Sequence, residues 1–185
     1  MAYSAIDIQF NDVSGGVAAP GEYSEWTDHR IPDDRSAWHP LVQQFYDYWL
    51  SIAPPDALPG RQHVAPEQMI AWLSRLWLLD VYRAPLRYRL RVCGSAMVRS
   101  LGHEVTGRWL DEVHPQSAAD PGSGDRLRIA VERGRPTWRR GVPRWPRAPE
   151  VKAAESLMVP LAADGRTVDK LMGVSIAFDA KGRMV

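Results

Sequence analysis

A single cysteine, Cys93, stands in 185 residues, so neither an internal disulfide nor a set of metal-binding thiolates is available. No apolar stretch approaches the ~20 residues that span a bilayer. The first residues, "MAYSAIDIQF", carry neither the basic start nor the apolar run of a secretory leader, and a cytoplasmic protein is the expectation. Charge of either sign is hardly in excess. The net is +1, too little for a global field that draws the chain onto nucleic acid or an acidic membrane, although the basic side chains are overwhelmingly arginine. Also missing are the Gly-x-Ser-x-Gly turn that presents a nucleophilic serine and the glycine-rich loop that cradles phosphate. Hydrolases and nucleotide hydrolases lose their usual support.

What is present is the mix of a soluble globular protein, 45% hydrophobic and 24% charged. At 20.8 kDa the chain fits one domain of ordinary size with something left over. Residues 1–35 carry Gly-Gly, Pro-Gly and "PDD", with a short alternation at Ile6, Ile8 and Phe10, and read as an irregular arm. A helical extension over residues 36–74 follows. In "SAWHPLVQQFYDYWLSIA" Ser36 is placed to cap, and Leu41, Phe45, Tyr48 and Trp49 recur at the spacing of one apolar stripe. After the break at Pro54, Pro55, Pro59 and Gly60, "APEQMIAWLSRL" predicts a second short helix with Pro66 in its first turn.

Residues 75–185 carry the main domain. "RLWLLDVY" is an apolar strand, and "RYRLRVC" alternates strictly, with Arg87, Arg89 and Arg91 on one face and Tyr88, Leu90 and Val92 on the other. "GSAMVRSLG" predicts a helix capped by Ser95 and stopped by Gly102; "VTGRWLDEV" gives another turn, and "GDRLRIAVERG" a longer helix with Leu127, Ala130 and Val131 on one side. Strands return in "PTWRRGV", "ESLMVPL" and "DKLMGVSIAF". The last two hinge on Asp-Gly, the strongest short-range hairpin signal. Two strands, short helices, then three strands predict an α+β fold: one five-stranded antiparallel sheet, its first and last strands adjacent, with short helices on one face.

The final strand alternates Met172, Val174, Ile176 and Phe178 with Gly173, Ser175 and Ala177. The expectation is that the large residues fill the space beneath the short helices, while the small ones leave a flat face for another element. The N-terminal stripe of Leu41, Phe45, Tyr48 and Trp49 is the available cover, from the same chain or from a second copy. Burial is worth about 1.5–3 kcal/mol per large side chain, so this stripe must be covered. A homodimer through it, or a monomer packed on itself, are the two outcomes.

"FYDYWLSI", "RLWLLDVYRAPLRYRLRVCGSAMVRSLGHEVTGRWLDEV" and "LMVPLAADGRTVDKLMGV", in that order over roughly residues 40–178, make the chain resemble a PAS domain, of the single-domain bacterial variety with an N-terminal helix. The resemblance implies a PAS-like sheet and a sensory or protein-interaction module rather than an enzyme. It implies action in trans on a partner such as a signalling kinase, since no kinase, cyclase or DNA-binding segment fits in the remaining length. Such folds take ligands between the long helix and the sheet, here expected at Leu127, Val131, Trp138, Leu157, Val159, Met172 and Val174. These walls suit a filled core or a modest apolar ligand. Flavin-carrying relatives place a cysteine in an Asn-Cys-Arg-Phe-Leu-Gln helix, whereas Cys93 precedes Gly-Ser-Ala-Met; haem-binding relatives place a histidine on the long helix, which has none. Neither cofactor is expected.

Two clusters offer other chemistry. "GHEVTGRWLDEVHP" holds His103, Glu104, Asp111, Glu112 and His114, and a small metal-dependent or acid-base enzyme would use His103, Asp111 and His114. The spacing lacks the four-residue repeat that sets two histidines on one helix face, so a solvated loop is the competing reading. "PTWRRGVPRWPRAP" interleaves arginines with Trp138 and Trp145, and a nucleotide-binding regulator would use Trp138, Arg139 and Arg140. Its competitor is an edge strand kept soluble by arginine.

Overall fold

Period-two patterning becomes five strands: β1 (Leu76–Arg83), β2 (Leu86–Cys93), β3 (Thr137–Gly141), β4 (Ala153–Leu161) and β5 (Lys170–Phe178). They form one antiparallel sheet in the order β2-β1-β5-β4-β3, so the first and last strands lie side by side as expected. The computed structural model describes residue 31 and residues 34–115, 121–143 and 148–185. The alternation at Ile6, Ile8 and Phe10, and the basic-aromatic residues Arg144, Trp145 and Arg147, lie outside them. No helix among the described residues is long and apolar enough to cross a membrane.

The first helix, α1 (Pro40–Ser51), starts later than the sequence suggests. A residue before proline is pushed out of the helical region, so the turn cannot begin ahead of Pro40. His39, not Ser36, is the cap, and its Nδ1 accepts the Leu41 N–H at 3.2 Å. The second predicted helix is absent. Two three-residue 3₁₀ turns, Arg61–His63 and Pro66–Gln68, stand there instead, and Met69 and Trp72 just after them are buried in the core.

Between β2 and β3 run α2 (Ser95–Leu101), α3 (Leu110–Val113) and α4 (Pro121–Arg133). Gly94 rather than Ser95 caps α2, its carbonyl accepting the Val98 N–H. Gly102 ends it at φ 82, the left-handed conformation that favours glycine. The β4–β5 hairpin forms, but over an eight-residue link. There the Asp164 carboxylate accepts the N–H groups of Arg166 at 2.9 Å and Thr167 at 2.6 Å, which hold its pKa down to about 2.

The strict alternation of β2 does not persist. Leu79 pairs with Leu90 but Leu78 pairs with Val92, so Arg91 is the extra residue of a bulge. Val92 is consequently exposed, and Cys93 turns toward the same side as Leu90 and Trp77.

Both faces of the sheet are covered, and β4 is buried along its whole length. On one face α1 lays Val42, Phe45 and Trp49 over Leu157, Val159, Leu161, Met172, Val174, Ile176 and Phe178. The indole of Trp49 donates to the Pro160 carbonyl at 3.0 Å, and that of Trp72 to the Leu41 carbonyl at 2.9 Å. On the other face Leu79, Leu90, Met158 and Leu171 pack with Leu101, Val113, Ala130 and Val131 from the helices.

This reverses the expected assignment of faces. The large residues of β5 lie under α1, and Gly173 and Ser175 lie on the side of α2–α4. The reason is steric. Trp77 pairs with Gly173, and its indole lies flat across that glycine, where a Cβ would collide with the ring. The small face accommodates an indole from the sheet itself, and the aromatic stripe of α1 needs the branched and aromatic surface opposite.

Candidate functional site

The small-residue face and its three helices line a half-open cavity of about 110 Å³. Its floor is Trp77, Leu79, Leu90 and Met158; Met97 and Leu101 of α2, Leu110 of α3 and Leu127 of α4 close the apolar part. The remaining wall is polar, made of His114, Arg126, Arg139, Ser156 and Ser175, with Cys93 beside the floor.

The polar wall is a connected run of hydrogen bonds. The Trp77 indole N–H donates to Ser175 Oγ at 2.9 Å, and the Ser175 hydroxyl donates to Ser156 Oγ at 2.9 Å. Arg126, only 4% exposed, reaches the same serine from α4. Its Nη2 donates to the carbonyls of Thr137 at 3.1 Å and Ser156 at 3.2 Å, and its Nε donates to Thr137 Oγ1 at 2.7 Å. Burial, and then the neighbouring charge of Arg139, push the Arg126 pKa well below its ordinary value. Burial likewise lowers His114 to about 4, with the charges of His103 and Arg139 acting in the same sense, so its imidazole is neutral at pH 7. Burial raises the Cys93 thiol to about 11, leaving it a protonated wall group and not a nucleophile.

Of the residues expected to line a pocket, Leu127 does so, and Val131 is buried in the same cluster off the wall. Trp138, Leu157, Val159, Met172 and Val174 are on the opposite face beneath α1. Of the expected interface, Leu41, Phe45, Tyr48 and Trp49 do cover the sheet, but over its large residues; Gly173, Ser175 and Ala177 project the other way. The exchange of faces accounts for these displacements apart from that of Val131, which keeps its expected side.

The catalytic alternative does not assemble. Asp111 forms a two-pronged pair with Arg87 at 3.0 and 2.9 Å, His103 is exposed, and His114 turns into the cavity. Among the described residues no three His, Cys, Asp or Glu side chains group to hold a metal. The nucleotide platform is likewise divided by strand geometry. Arg139 faces the cavity, while Trp138 and Arg140 face α1, where Trp138 stacks on Trp38 with centroids 5.3 Å apart and planes 9° apart. Trp138 also donates to Glu155 at 3.0 Å, a fully buried carboxylate that accepts the His39 N–H at 2.9 Å and whose pKa burial raises. This contact fastens the segment before α1 to the sheet.

The family model described as PAS domain matches residues 37–176. The chain belongs to the PAS domain family. Among solved structures, "Structure of an RNA-binding Light-Oxygen-Voltage Receptor" is similar at 16% identity and a TM-score of 0.44, covering 87% of this chain. The chain spans 40% of that receptor's length. Among curated proteins no match was found. In this PAS domain the residue that sequence reasoning passed over is Arg126. Its signal was present: it lies four residues before Ala130, on the inward stripe of α4, where a cation is out of place.

Proposed function

We propose that this PAS domain is a cytoplasmic sensory module of bacterial signalling, acting in trans, which takes a small, largely apolar ligand into the cavity beneath α2–α4. A change in occupancy is read by a partner protein such as a signalling kinase. The observation that carries the reading is the cavity itself: about 110 Å³, apolar on its floor and roof, with polar groups convergent at one end. A filled core would leave no such space at native packing density. Homodimerisation through α1 takes the form of an exchange, each copy laying its Phe45 and Trp49 on the other's β4 and β5; sedimentation velocity at micromolar concentration reads monomer or dimer mass.

Native mass spectrometry of protein purified from bacterial cells tests the ligand. The expected result is a small-molecule adduct that disappears in Leu101→Phe, which fills the cavity from α2. Identical spectra for both proteins, or no adduct after incubation with cell metabolites, would overturn the reading.

A further inference from the structure

Taking a guanidinium out of water costs several kcal/mol unless an opposite charge compensates it. Arg126 is almost fully buried, yet among the described residues its partners are neutral: the Thr137 hydroxyl and carbonyl, and the Ser156 carbonyl and hydroxyl. These engage Nε and Nη2. Nη1 has no hydrogen-bond partner among the described residues, although the side chain lines the cavity. Arg139, a second cation, lines the same end.

The two serines add another donor. The Ser175 oxygen accepts the Trp77 N–H, and its hydrogen goes to Ser156 Oγ, which also accepts from Arg126 at 3.4 Å. The Ser156 hydrogen is then left without an acceptor among the described residues. The Arg126 guanidinium and the Ser156 hydroxyl converge at one end of an otherwise apolar space, and no carboxylate among the described residues is bonded to either. This asks for an acceptor with negative charge and a hydrocarbon body, because buried polar groups are hydrogen-bonded and buried charges are paired.

We propose that the cavity is a receptor site for a small aliphatic carboxylate, its carboxyl group held by Arg126 and the Ser156 hydroxyl and its chain against Leu79, Leu90 and Met158. The volume of about 110 Å³ sets a short chain, below the ~150 Å³ of an apolar cavity that admits benzene. A charge-assisted bond to guanidinium is worth more than a neutral one by enough to give about tenfold preference or more over an uncharged isostere.

The inference rests on reading the cavity as a ligand site, so two probes separate the claims. Butyrate and pentanoate are titrated into isotopically labelled protein beside pentanamide and 1-pentanol, and xenon is admitted as an uncharged probe of the void. The expected result is pentanoate binding at least tenfold tighter than either neutral isostere, with the preference lost in Arg126→Gln. Equal affinity for acid and amide, or a preference that survives Arg126→Gln, overturns the carboxylate and leaves the cavity. Xenon entry without carboxylate binding does the same. Absence of both overturns the ligand site with it. If Arg126→Gln does not fold, the comparison of acid with isostere in the wild-type protein decides.

Discussion

Gly173→Ala adds one methyl group to β5, at the point where the Trp77 indole crosses the strand. The indole must move, and it has the cavity to move into, since Trp77 forms part of the cavity floor. Forcing a methyl into a packed site costs about 1–3 kcal/mol. Displacing the ring also breaks the Trp77–Ser175 hydrogen bond of 2.9 Å, for about 0.5–1.5 kcal/mol more. The alanine recovers about 0.4–1 kcal/mol by restricting the unfolded chain. The balance is a destabilisation of about 2 kcal/mol, or a fall of about 4–8 °C in melting temperature for a chain of this size. Urea denaturation of four proteins tests it: wild type, Gly173→Ala, Trp77→Leu and the double variant. If the indole is the obstacle, Gly173→Ala costs far less once Trp77 is leucine, with a coupling of about 1 kcal/mol or more. Additive effects, or a single-variant cost below about 0.5 kcal/mol, would refute the placement of the ring over the glycine.

Phe45→Ala removes a fully buried ring from α1 and should cost about 3–5 kcal/mol by the same denaturation measurement, whereas Gln44→Ala on the exposed side of the helix should change little. Stability should also depend on pH through His39, whose pKa is lowered from 6.5 to about 4 by burial, then by the charges of Arg75 and Arg140. The unfolded chain takes up that proton first, so the contribution is complete above pH 6.5 and is lost as pH falls toward 4; at about 1.4 kcal/mol per unit it is on the order of 3 kcal/mol. His39→Asn keeps the cap without the titration and should flatten the slope between pH 4 and 6.5. Glu155 acts in the opposite sense. Its raised pKa makes the folded state the better proton binder, so its contribution is present below about pH 4.5 and declines as pH rises above it, and Glu155→Gln should steepen the rise left by His39.

Sheet composition and the adjacency of the first and last strands were legible because period two and the Asp-Gly link survive in any context that buries one face. Which face meets which helix was not legible. In β5 the alternation of Met172, Val174 and Ile176 with Gly173 and Ser175 defines two sides but names no neighbour for either, and the deciding fact is a cross-strand one, Trp77 opposite Gly173. The bulge at Arg91 hides for the same reason: the sequence alternates through it, and only pairing with β1 shows that Val92 and Cys93 have changed sides. The start of α1 was readable from Pro40, whose ring outranks the hydroxyl of Ser36 as a boundary. Arg126 was readable as well, as an arginine in register with Ala130, but only its burial beside Thr137 and Ser156 shows what surrounds it.

Methyl spectra under xenon pressure test the central placement most directly, because xenon settles against apolar walls without needing any polar partner. The Met97 and Met158 methyl resonances, on the cavity wall, should shift progressively with pressure while Met172, beneath α1, stays fixed. Shifts at Met172 and Val174 with Met97 and Met158 unmoved would put the void on the other side of the sheet and contradict the account.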